Sequence, residues 1–186
     1  MKITVHNSEG GVGKMPISAN IAIDKGFMIA TNEHTSIYEY ILSDDEFVEI
    51  DMNEDFPDFD EMNVVFDLAG SINKNSQSIK SAISMSDVVI VPISCELKSM
   101  LSGSNTIQEI KNINSEIDIL VVTTKRQKQR EDVFLDNWDQ SKEFIEIRSY
   151  IESALPGSVN HYLPLKALKA FDNIFEKTKH PTINKI

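Results

Sequence analysis

The residues with the clearest chemistry lie near the start of the chain. Gly10-Gly11-Val12-Gly13 runs straight into Lys14. Ahead of this turn, Lys2 to His6 is short and β-prone; behind it, Ile17, Ile21 and Ala22 fall on one face of a helical run. Strand, glycine turn, lysine and helix are the layout of a phosphate-binding loop. Glycines let successive backbone N–H groups turn inward and form a cup for an anion. The helix start adds unpaired N–H groups and a positive dipole end. Lys14 then belongs against the outer phosphates of a nucleotide.

Two further stretches carry charge that could do chemistry. Asn63-Val64-Val65-Phe66 is an apolar run that ends in Asp67 and is followed by the small-residue turn Leu68-Ala69-Gly70. That is the Walker B layout, in which the acid lies beside the phosphate loop and holds magnesium through water. The plainer reading is a strand-end Asp that caps the next turn; the glycine loop upstream favours the functional one. Lys125-Arg126-Gln127-Lys128-Gln129-Arg130 places four cations in six residues. It reads as a solvated loop or as a contact for phosphate, DNA or an acidic partner. The four histidines have no metal-site spacing, and Cys95 reads as a small buried apolar residue.

Gly-Gly-Val-Gly-Lys after a strand that begins at residue 2 resembles the deviant phosphate loop of the ParA/MinD family, the partition and division-site positioning ATPases. The family pattern runs Lys-Gly-Gly-x-Gly-Lys-Thr-Thr and needs no glycine at the place of Ser8. Ser-Asp-Val-Val-Ile-Val-Pro at 86–92 and Arg148-Ser149 before Tyr150 to Ala154 are also similar to the family. The resemblance implies ATP or ADP bound by Gly10, Gly11, Val12, Gly13, Lys14, Met15 and Pro16. It implies Lys14 and Asp67 as catalytic residues, Mg2+ at Asp67, a nucleotide-sandwiched homodimer, and a role in partition of a plasmid or chromosome or in positioning of a complex.

Three departures weaken the catalytic half of that expectation. Glu9 replaces the family's signature lysine, Met15 its magnesium-binding Thr, and Pro16 the Thr after it. One charge pair at ~4 Å and an effective dielectric of ~20 is worth ~4 kcal/mol, and Glu9 reverses its sign. A thioether is too soft to replace a magnesium-binding oxygen. Pro16 removes one backbone N–H from the anion site. Ala30-Thr31-Asn32 stands where the family has Asp-x-Asp, and Thr123-Thr124-Lys125-Arg126 lacks the Asn that helps to read adenine. The expectation is a protein that keeps anion or nucleotide binding and has weak or absent hydrolysis. The alternative is a non-enzymatic protein-interaction module on the same fold.

The elements that must position these residues are legible as apolar runs. Strands are expected at 27–31, 63–67, 87–92, 117–123 and 144–147. Helices are expected at 35–42, 76–85, 97–113, 131–141 and from Pro164 onward. Leu101, Ile107, Ile110 and Ile113 are read as the core face of the helix at 97–113, and Leu165, Leu168, Phe171, Ile174 and Phe175 as that of the last. This alternation, with the resemblance, implies an α/β fold, a mostly parallel sheet with helices on both faces. A chain of 186 residues suits one domain, 1–186. The net charge of −11 and pI near 4.8 argue against a generally basic nucleic-acid binder. Ten acids and no cation fall between Ser43 and Met62, a solvated face or a dock for a basic partner, with a short edge strand at Phe47 to Ile50. One cysteine excludes an internal disulfide and suits a reducing compartment. With no leader pattern and no apolar run of ~18 residues, a cytoplasmic protein without a transmembrane segment is expected.

Overall fold

The computed structural model describes residues 1–34, 37–70, 76–124 and 142–164. Its strands are β1 (Lys2–Val5), β2 (Met28–Thr31), β3 (Phe47–Glu49), β4 (Val64–Asp67), β5 (Val88–Ser94), β6 (Asp118–Thr124) and β7 (His161–Pro164). Its helices are α1 (Lys14–Lys25), α2 (Tyr38–Ile41), α3 (Gln77–Met85), α4 (Leu97–Ile113) and α5 (Lys142–Ala154). The strands form one sheet in the order β3-β2-β4-β1-β5-β6-β7, and every pairing is parallel.

The sheet is covered on both faces, which is why β4 and β5 read as continuous apolar runs. On one side Val5, Ile29 and Val65 meet Ile17, Ala19 and Ala22 of α1 and Tyr38 of α2. On the other, Val89, Val91, Ile119 and Val121 meet Ile107 and Ile110 of α4 and Ile147 and Ile151 of α5. Phe56 and Phe59 close that side over β4, with ring centroids 5.0 and 5.7 Å from Phe66. Helix α4 approaches β5 so closely that a Cβ at Gly103 would lie 2.4 Å from Ile93 Cδ1.

Four expectations are corrected. Residues 144–147 are helical: they lie in α5, whose buried Phe144, Ile147 and Ile151 recur at helical spacing while Ile145 is half exposed. Arg148 and Ser149 are therefore mid-helix, and Arg148 Nε sits 2.8 Å from Glu152. Pro164 itself lies in the strand β7, and the helix expected to run on from it lies outside the described residues. Leu101 faces outward on α4, whose inner face is instead Met100, Gly103, Thr106, Ile107 and Ile110. Cys95 is only partly buried. The expected helix at 131–141, the apolar face after Pro164 and the basic 125–130 loop lie outside the described residues. Among the described residues no helix is long and apolar enough to cross a membrane.

Candidate functional site

The carboxyl end of β1, at the middle of the sheet, opens into the glycine turn. Its shape is imposed from α4 and β6. Asn7 is fully buried; its Nδ2 donates to the Pro92 carbonyl at 2.7 Å, and its Oδ1 accepts from the Glu9 amide at 2.9 Å and the Ser102 hydroxyl at 3.0 Å. The Ser8 amide donates to Thr106 Oγ1 at 3.2 Å. The Thr124 hydroxyl donates to the Val12 carbonyl at 2.7 Å. Gly11 and Gly13 adopt φ of 72° and 94°, in the left-handed region, and Gly13 caps α1. Gly10 and Gly11 face solvent and Val12 faces the core.

Lys14 folds back under this turn and is nearly buried. Its Nζ donates to the Asn7 carbonyl at 3.1 Å and the Glu9 carbonyl at 2.8 Å. Burial lowers its pKa, against the opposing pull of Asp67, Glu33 and Glu9. His6, buried beside it, is pushed down to about 3 by burial and then by the Lys14 charge, so the imidazole is neutral at pH 7.

Asp67 ends β4 in register with Val5 and Thr31. Its side chain is buried. Oδ2 accepts from the Tyr38 hydroxyl at 2.6 Å and Oδ1 from the Ser18 hydroxyl at 3.1 Å. Burial pushes its pKa up to about 6, opposed by those two bonds and by Lys14.

The sheet order and this loop can be set beside known structures. No family model matches the chain, and no curated protein matches it. Solved structures do. McdA of Cyanothece, in an ATP complex, superposes with a TM-score of 0.62 at 12% identity over 100% of this chain and 93% of that one. A plasmid partition protein of Borrelia burgdorferi bound to AMPPNP gives 0.57 at 15% identity over 99% and 98%. The ParA of pNOB8 bound to nonspecific DNA gives 0.59 at 12% identity over 98% and 95%. The fold is that of the ParA/MinD ATPases.

Within the ParA/MinD fold, the departures seen in the sequence take definite positions. Glu9 turns along the loop to Lys98 of α4, Oε1 to Nζ 3.4 Å, while its Oε2 is buried without a partner. Pro16 is buried in the first turn of α1, where a missing N–H is tolerated. Met15, partly buried, has no side-chain oxygen to offer a metal. The ParA/MinD fold implies magnesium here, and the residues present do not fit it. One Asp67 oxygen is held by the Tyr38 hydroxyl and the other faces the Ser18 hydroxyl, shared with the Lys14 carbonyl, and among the described residues no group of three or more His, Cys, Asp or Glu is placed to hold an ion.

Sequence reasoning missed the loop braces Asn7, Ser102 and Thr106 and four further residues of this site. Tyr38 and Ser18 hold Asp67, and Thr124 holds the loop. Glu33 is the fourth. Asn32 is buried in structural bonds to the Ala69 amide at 2.7 Å and Ser78 at 2.8 Å. The acid sits one residue further on, close enough for its charge to act on Lys14, Tyr38 and Asp67. Only Glu33 carried a signal, as an acid just past a strand end.

Proposed function

We propose that the chain binds a nucleotide at the Gly10–Lys14 loop and acts as a ParA/MinD-like protein in plasmid or chromosome partition, or in positioning a complex, with hydrolysis weakened or lost. One observation carries this reading: two left-handed glycines and a buried lysine are held in a loop braced by α4 and β6. Two of the similar structures are complexes with ATP and AMPPNP, which supports a nucleotide ligand. The pNOB8 ParA complex supports DNA as a partner, for which the Lys125–Arg130 loop is the candidate contact. A homodimer joined through the nucleotide, in the cytoplasm, completes the proposal. Glu9, Met15 and the engaged Asp67 are the reasons for reduced turnover.

Titration of the purified protein with ADP and with ATP tests this. Saturable binding, lost in Lys14→Ala, is expected with phosphate release at background. Brisk turnover would refute the catalytic half. Absence of binding would leave the second reading, a non-enzymatic interaction module. That reading is favoured by residues 26–73, which hold thirteen of the 29 acids and none of the 18 Lys and Arg. This acidic flank suits a basic protein partner.

A further inference from the structure

We propose that the Tyr38 hydroxyl stands in for the divalent cation at this site, so that the loop takes its nucleotide in a metal-independent manner. The inference rests on the nucleotide reading above and narrows its ligand to the metal-free form.

The geometry is closed around Asp67. A carboxylate positions a magnesium ion by presenting a free oxygen to it or to its water shell. Here one oxygen receives the Tyr38 O–H at 2.6 Å, a short charge-assisted bond, and the other lies 3.1 Å from the Ser18 O–H, which it shares with the Lys14 carbonyl, also at 3.1 Å. The Tyr38 oxygen also lies 3.5 Å from the Met15 carbonyl, so it sits between the strand-end acid and the first turn of α1. A cation held by this acid would need that place free. Positive hydrogen ends of two hydroxyls do there what the ion would do electrostatically, on a smaller scale.

The hydroxyl cannot simply step aside. Tyr38 is completely buried, its ring packed in the cluster that contains Val5, Ile17, Ile29 and Ile41. The ring oxygen stays beside Asp67 as long as α2 stays packed on the sheet. Magnesium sheds water reluctantly and keeps several waters when bound. Asp67, Tyr38 and Ser18 leave no wet space for them, each being 1% exposed or less. Met15 removes the remaining oxygen on the loop side. The two features act together: the loop offers no side-chain oxygen at Met15, and the acid is already bonded to Tyr38.

The first measurement is the affinity for ADP and ATP in magnesium buffer and in EDTA. We expect the two to agree within about threefold. A rise of about tenfold or more with magnesium overturns the proposal. If neither buffer shows binding, the nucleotide reading itself falls, and the metal question is then read on the protein alone. Manganese added to the isotopically labelled protein is expected to leave the Asp67 and Tyr38 amide signals as sharp as the rest. Selective broadening there overturns the proposal. The paired variant Tyr38→Phe with Met15→Thr keeps the ring, removes the hydroxyl and restores an oxygen. It should gain a magnesium response. A folded paired variant indifferent to magnesium would show that the hydroxyl is not what excludes the ion.

Discussion

The two flanks of the glycine loop are built on opposite principles. Toward α4 and β6 the loop is braced by amides and hydroxyls that grip its backbone: Asn7, Ser102, Thr106 and Thr124. Toward β4 and α2 a single carboxylate is sealed under a tyrosine. The first flank holds the loop's shape through neutral amides and hydroxyls. The second holds charge and has surrendered its freedom to act on a ligand. An anion cup can therefore persist in a chain whose metal corner has been filled, because the two depend on different residues.

That contrast can be broken most sharply at Asp67. Asp67→Ala leaves the buried Tyr38 hydroxyl without its partner and removes a tie between β4, α1 and α2. It should cost ~3 kcal/mol or more in denaturant unfolding. A loss below ~1 kcal/mol would mean that the sealed flank is not a structural tie.

The next effect is pH-dependent. Asp67 has its pKa raised, so its contribution to stability is present below the ordinary carboxyl range and is lost as pH rises through about 6. His6 has its pKa lowered, so its contribution is present above 6.5 and is lost as pH falls toward about 3. Between about 4 and 6 the two slopes oppose each other. Asp67→Asn should unmask the His6 slope, with stability falling on acidification, and His6→Gln should unmask the reverse. Parallel unfolding curves across pH for the two variants would contradict both assignments.

On the bracing flank the effects are smaller. Gly13→Ala forces a side chain to φ of 94° and should cost ~1–2 kcal/mol together with nucleotide affinity. Thr124→Val removes one buried bond to Val12, worth ~1 kcal/mol. Its sharper readout is a loss of affinity with the sheet unchanged by circular dichroism. Lys98→Ala, which removes the exposed partner of Glu9, should shift stability by no more than ~0.5 kcal/mol.

The bracing flank was the harder one to read from sequence, although the loop itself was plain. Gly10 to Lys14 is a local pattern, and the apolar runs ending at Asp67 and at Pro92 announce buried parallel strands. Thr106 and Thr124 are ordinary residues whose role exists only because α4 and β6 meet the loop in space. Tyr38 was hidden for the same reason, reaching Asp67 from 29 positions away. The end of the sheet misled differently. Phe144-Ile145-Glu146-Ile147 is a short, mostly apolar run of strand length, but Ile151 continues a helical spacing that a four-residue window does not see. His161 to Pro164 has little strand character and is recruited by pairing with β6.

The hydroxyl of Thr124 has one more consequence, for the order of events during synthesis. The anion motif is encoded in the first fourteen residues, yet the last of its braces comes from a residue 112 positions downstream of Val12. The motif leaves the ribosome early and must wait, unshaped, until nearly two thirds of the chain has been made. A nascent fragment ending before β6 would carry every glycine and the lysine but lack this brace and the strand that supplies it, so full competence to bind arrives late.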